Sequence, residues 1–173
     1  VDEYHLPEKD GLSVCRVEPE NNVHILLQAF CEQNDISLVI VGNWSNSEYG
    51  RELRNSYESS NILYLLDPIY DLGKLKTLRS GASMYLHGHS AGGTNPSLVE
   101  AMHFEIPVVA FDCDFNRSTT EDKALFFCDA KSLQQVLVSH TEGELEDVGK
   151  DMLEIARRRY TWDKVAEQYF ELF

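Results

Sequence analysis

The chain has 173 residues, 43% hydrophobic and 25% charged, with a formal net charge of −14, which fits one sizeable domain closing a single core, since single domains run to roughly 100–200 residues. No apolar run approaches the roughly 18 residues of a membrane span, and so large an acid excess excludes a nucleic-acid or anionic-membrane surface, which needs clustered Lys and Arg. Any phosphate must therefore be held locally, by backbone amides and single basic residues.

In chain order, VDEYHLPEKDG opens without Met and directly ahead of an apolar strand, so the chain reads as a piece cut at a domain boundary. LSVCRV (12–17) is a predicted strand, and 20–33 a helix with Val23, Leu26, Leu27 and Phe30 at helical spacing. SLVIVG (37–42) is a near-continuous apolar run, as expected of a strand covered on both faces. A polar surface helix over 45–60 precedes a third strand, ILYLL (62–66), and a helix over 71–81 ended by Gly81. ASMYLHG (82–88) is a fourth strand, followed by a helix from Pro96 to about Glu105 and strands at 108–111 and 124–127. Two helices, 129–140 and 142–160, lead to an amphipathic closing helix over about 161–173, with Trp162, Val165, Tyr169 and Phe173 on one stripe.

Short strands alternating with helices predict an α/β fold: a Rossmann-like, doubly wound parallel sheet of about six strands, with ligands at the carboxyl ends of the strands near the topological switch point. No G-x-G-x-x-G follows the first strand, and there is no Walker A sequence. The four cysteines, Cys15, Cys31, Cys113 and Cys128, form no C-x-x-C pair and lie in or beside apolar stretches. They read as mostly buried thiols, which suits a cytoplasmic protein.

The stretch richest in chemistry is strand, loop and helix, YLHGHSAGGTNPSLVEAM (85–102). Gly92 and Gly93 allow positive φ, Asn95 can cap and Pro96 suits the first helical position. Unpaired amides at such a helix start can take an anion, although the same residues also make an ordinary strand-to-helix turn. Leu98, Ala101, Met102 and Ile106 form the buried stripe, which turns Glu100 away from the core, free to accept from sugar hydroxyls or simply solvated. Arg16 falls at the carboxyl end of the first strand, where a guanidinium matches phosphate geometry. His87 and His89 flank Gly88 at the end of the fourth strand. No third ligand is spaced with them, so a hydrogen bond to substrate or backbone is expected rather than a metal.

On these residues the chain resembles the C-terminal domain of GT-B retaining glycosyltransferases of family 4, over nearly its whole length. RVEPENNVHILLQAF, SLVIVG, NILYLLDPI, NPSLVEAMHFEIPVVAF and the ending YTWDKVAEQY carry the resemblance. HGHSAGGTNPSLVEAM with FDCDFNRSTTEDKALFF is similar, more narrowly, to rhamnosyltransferases of bacterial capsule and surface-polysaccharide clusters.

The resemblance implies that residues 1–173 form a nucleotide-sugar (donor) domain. Arg16 matches the diphosphate-binding arginine, and Asn21 stands where a lysine is usual. Glu100 matches the second Glu of the E-x7-E motif, which binds ribose, while Gly92 replaces the first. Gly92, Gly93, Thr94 and Asn95 would cradle phosphate, and the base would pack on the turn from Asp67 to Tyr70, near Ile69 and Tyr70. His87 and His89 would reach the sugar, with dTDP-rhamnose the donor that a relaxed site at Gly92 suggests. Neither a cofactor nor a metal ion is implied. The polysaccharide or lipid-linked acceptor, with any acid or base acting on it, belongs to an N-terminal domain that this chain lacks. No catalytic residue is therefore assigned here, transfer by this piece alone is not expected, and the full-length enzyme is expected at the periphery of the inner membrane. Two other readings share the fold: a non-catalytic nucleotide or sugar-phosphate binding module, and a nucleotide-sugar epimerase relative.

Overall fold

A computed structural model describes residues 9–32 and 35–161. Its six strands are β1 (Asp10–Val14), β2 (Ser37–Val41), β3 (Leu63–Leu66), β4 (Met84–His87), β5 (Val108–Phe111) and β6 (Leu125–Phe127). All neighbouring strands pair in parallel, in the order β3-β2-β1-β4-β5-β6. The predicted α/β, Rossmann-like class is therefore the observed one. Parallel strands need crossovers long enough to hold a helix, and each crossover here contains one.

Seven helices fill those crossovers and the end of the described chain: α1 (Val23–Cys31), α2 (Glu48–Tyr57), α3 (Leu72–Gly81), α4 (Pro96–Met102), α5 (Asp114–Thr119), α6 (Ala130–Ser139) and α7 (Glu142–Arg159). Side chains alternate across the sheet, and this divides the core in two. Val39 and Val41 of β2, Tyr85 of β4 and Val108 and Ala110 of β5 pack with Leu78 of α3, Leu98 and Met102 of α4 and Met152 and Ile155 of α7. Leu38 and Ile40, Met84 and Leu86, and Val109 face the other way, onto Leu26, Leu27 and Phe30 of α1, Leu53 of α2 and Leu133 of α6. Both faces are covered, which is why β2 reads as an unbroken apolar run.

The structure corrects several boundaries, each for a local reason. β1 stops at Val14 rather than continuing to residue 17, because the Val17 amide leaves the ladder and donates to Asn43 Oδ1 at 2.7 Å. The helix expected over 20–33 is a 3₁₀ turn, Pro19–Asn21, then α1, separated by Asn22 at φ 49°. The helix expected over 45–60 begins only at Glu48, because Trp44 is fully buried and Ser47 caps, accepting from the Gly50 amide. α5 was not anticipated from periodicity: six residues hold too little of a helical repeat to register. Cys31 and Cys128 are exposed, contrary to the expectation of buried thiols, because each stands where its element runs out into a turn. The closing helix expected over 161–173 lies, from Trp162 onward, outside the described residues.

Candidate functional site

The strand order reverses between β1 and β4, so the loops leaving these neighbours go opposite ways and open a cleft at their carboxyl ends. Two adjoining pockets fill it, sharing Val14, Cys15, Arg16 and Ser97 as their common wall. The inner pocket, about 300 Å³, lies between β1 and β4 and adds Asn21, His87, Gly88, His89 and Asn95. The outer one, about 400 Å³, extends below β2 and β3 and adds Asn43, Asn46, Pro68, Ile69 and Tyr70. Of the candidate residues, Arg16, Asn21, His87, His89, Asn95, Ile69 and Tyr70 thus line one continuous cleft. Gly92, Gly93, Thr94 and Glu100 do not line either pocket and are exposed.

Amide side chains wire the inner pocket. Asn21, 4% exposed, donates from Nδ2 to the Arg16 carbonyl at 2.8 Å, which leaves Oδ1 as acceptor for His89 Nδ1, also at 2.8 Å. The Nδ1 of His89 must then carry hydrogen, and its Nε2 is an acceptor in the neutral ring. Asn22 donates to the Gly88 carbonyl at 2.8 Å, and the Ser90 amide to Glu20 at 2.9 Å. A Cβ on Gly88 would overlap the Asn21 carbonyl, so only glycine lets the β1 and β4 loops lie this close. Asn116, on α5, donates to both His89 and Phe111 carbonyls, at 2.9 and 2.8 Å, and stitches the β4 loop to β5.

Burial sets the protonation states in this half. His87 is 4% exposed, and its Nε2 is buried without a partner. Desolvation, helped by the neighbouring His89, lowers its imidazole to about 3, so the ring is neutral through the physiological range. Cys15 is driven the other way. Burial raises its thiol to about 11, against a lowering hydrogen bond from Ser13, so at the cleft wall it is an inert thiol rather than a nucleophile. Tyr85, fully buried beneath, donates to the Val14 carbonyl at 3.2 Å and pins the end of β1.

Arg16 projects from the loop after β1 with a side chain 70% exposed and a loose ion pair to Glu18 at 3.6 Å. No other lining residue of either pocket is permanently charged. α4 starts as its sequence predicts: Asn95 caps, accepting from the Ser97 amide at 2.9 Å, and Pro96 takes the first turn. Gly92 and Gly93 adopt φ of 39° and 78°, the left-handed region that glycine permits. Leu98, Ala101, Met102 and Ile106 are buried, and Glu100 faces outward, with Oε2 2.7 Å from Arg79 Nη2.

In the outer pocket the turn after β3 is held at both ends. Arg54 pairs with Asp67 at 2.7 Å, and Asp71 caps α3, accepting from the Lys74 amide at 3.1 Å. Between them Tyr70 is 88% exposed, a flat ring at the cleft mouth. Trp44, fully buried in the core behind, donates to the Leu66 carbonyl at 2.9 Å and holds the end of β3. A cleft with one guanidinium, several neutral hydrogen-bonding side chains and a free aromatic ring is suited to an anionic, partly aromatic ligand.

Sequence reasoning missed Asn43, Ser97, Asn116 and Arg79. Arg79 alone had a signal: it follows Leu75 by four residues and so falls on the inward stripe of α3. Asn116 sits on a helix too short to predict. Among the described residues, no three His, Cys, Asp or Glu side chains gather as a group that could hold a metal ion. No described helix is long and apolar enough to cross a membrane.

No curated protein matches the chain by sequence. Solved structures do. HepE of Anabaena, in complex with UDP-glucose, superposes with a TM-score of 0.81 at 18% identity, covering 94% of this chain and 48% of its own. Sucrose-phosphate synthase from Thermosynechococcus elongatus gives 0.84 at 21% identity, over 99% of this chain and 46% of its own. The chain thus spans about half the length of these structures. The C-terminal domain of LpcC, a glycosyl transferase group 1 family protein from Francisella tularensis, gives 0.75 at 10% identity, covering 93% of this chain and 91% of its own. At these identities the likeness carries the fold, with the switch-point cleft in the place that the fold dictates. The sequence profile of the glycosyl transferases group 1 matches residues 5–149, which takes in every residue of the cleft, and the chain belongs to that family.

Proposed function

We propose that this chain is the donor half of a retaining glycosyltransferase of family 4, binding a nucleotide-activated sugar for transfer to a polysaccharide or lipid-linked acceptor. The observation that carries the reading is the continuous cleft, with Arg16 as the one permanent cation shared by its two pockets. The diphosphate lies against Arg16, with amides of the Gly92–Gly93–Thr94–Asn95 loop closing on it. The base packs on Ile69 and Tyr70, in the outer pocket. The sugar enters the inner pocket, where His89 Nε2 and neutral His87 offer hydrogen bonds to hydroxyl groups, and Glu100 takes a hydroxyl of the nucleoside.

A side chain as small as Gly92 and the neutral Asn21 suit an uncharged 6-deoxy sugar, and dTDP-rhamnose is the donor proposed. The reading includes no metal ion or cofactor. Arg16 stabilises negative charge growing on the departing diphosphate, an electrostatic contribution that needs no proton donor. The acceptor and the rest of the site come from a preceding domain, so this chain binds donor without transferring it. That HepE is solved with UDP-glucose supports a nucleotide sugar as the ligand class.

The test is a thermal-shift and calorimetric titration with dTDP-rhamnose, UDP-glucose and GDP-mannose. A ligand at a hundred times its Kd stabilises by about 2.7 kcal/mol, and dTDP-rhamnose is expected to shift the midpoint most, with the shift lost in Arg16→Ala. If none of the three shifts it, the donor-site reading fails.

A further inference from the structure

Arg79, in the last turn of α3, is 6% exposed, yet its one carboxylate partner, Glu100, is more than half exposed, and its own Nε is buried without a partner. Burying a guanidinium on a single ion pair costs more than filling the place with an apolar side chain, and Leu75 and Leu78 of the same helix already pack there. Bracing alone does not explain the arrangement. What it does achieve is local: Nη2 lies 2.7 Å from Glu100 Oε2 and fixes an otherwise solvent-facing carboxylate in one place.

Glu100 follows Ser97 by one helical turn, on the same face of α4, and Ser97 is part of the wall common to both pockets. Its carboxylate therefore lies one helical turn beyond that wall, outside both pockets. One oxygen is held by Arg79, and no other side-chain partner of Glu100 occurs among the described residues. We infer that Arg79 is a positioning residue, which holds Glu100 so that the open oxygen accepts from one hydroxyl of the nucleoside sugar, the 3′-hydroxyl that ribose and deoxyribose share. The inference rests on the donor-site reading above. It adds a residue of α3 to the specificity apparatus, acting through Glu100 without touching the ligand.

The experiment compares dTDP with its 3′-deoxy counterpart by calorimetry, on the native chain and on Glu100→Gln, Arg79→Met, Arg79→Lys and the Arg79→Met/Glu100→Gln double variant. The native chain should prefer dTDP by about tenfold or more, the usual worth of a hydrogen bond to a charged group. Glu100→Gln and Arg79→Met should each bring the preference within about threefold, and the double variant should lose nothing beyond Glu100→Gln. Lysine keeps the charge without the planar fork, and Arg79→Lys should also lose at least threefold of the preference. An unchanged ratio in both Arg79 variants, or in Arg79→Lys alone should Arg79→Met not fold, overturns the positioning role and leaves the donor site standing. Equal native binding of both ligands overturns the role of Glu100 and that of Arg79 with it, whereas no binding of either overturns the donor-site reading itself.

Discussion

The inner half of the cleft, between β1 and β4, is walled by amide side chains already bonded to backbone, one of which also holds the His89 imidazole, whereas the outer half is roofed by a tyrosine with 88% of its surface free. Both halves hang from the carboxyl ends of the same sheet, so the contrast comes from side-chain chemistry rather than topology. Asparagine can satisfy a donor and an acceptor at once, and Asn21, Asn22, Asn43 and Asn116 each tie loop backbone across the cleft's edge. An aromatic ring on a turn has no such option and waits for a partner. The inner half is thus set before a ligand arrives. In the outer half the turn is held at both ends and the exposed Tyr70 side chain is what a ligand would order, at the entropic cost that ordering a side chain carries.

The sharpest way to break this contrast is Asn21→Leu, which keeps the branched shape but strands the His89 N–H and leaves the Arg16 carbonyl with the Glu18 amide alone. A buried group so orphaned costs about 1–3 kcal/mol, and the part-buried His89 N–H falls towards the lower end. For a domain of this size each kcal/mol moves Tm by about 2–4 °C, and a midpoint within error of the native one would show that the inner half is not braced as described. A second effect, confined to acid pH, comes from His87. Its folded value of about 3 lies below the ordinary 6.5, so as pH falls through 6.5 the unfolded chain takes up a proton that the folded chain refuses. The stability tied to neutral His87 is therefore complete above pH 6.5 and drains away between 6.5 and 3, by up to about 1.4 kcal/mol per pH unit. Urea melts at stepped pH should decline less steeply for His87→Gln, and parallel curves would contradict the burial effect. Smallest in stability is Tyr70→Ala, expected to stay within about 0.5 kcal/mol of native while weakening nucleotide binding about two- to tenfold. A large loss of stability there would erase the difference between the halves.

The same contrast explains what could be read from the residues. The sheet was legible because β2 is covered on both faces and so is a near-continuous apolar run, and α4 because Asn95 and Pro96 sit where a helix start requires them. The cleft's place followed from strand alternation. Its wiring did not. Asn21 read as a lost lysine, although its work is to join two loops whose partners lie 5 and 68 residues away in sequence. Periodicity is silent about such contacts, because they depend on where loops meet. For Arg79 periodicity places the residue on the inward stripe of α3 but says nothing of its partner, Glu100, on the next helix. Glycines differ in how visible they are: Gly92 and Gly93 stand out through their motif and take the positive φ it allows, whereas the closest backbone approach in the cleft, at Gly88, carries no such signal.

Arg16 is the one permanent cation lining the cleft of a chain whose net charge is −14. At long range a dianionic ligand meets a repelling field, and attraction begins only within about a Debye length of the guanidinium, about 8 Å in physiological salt. Capture is consequently governed by contact rather than by steering, and moderate salt, by screening the repulsion more than the close pair, speeds the encounter instead of slowing it.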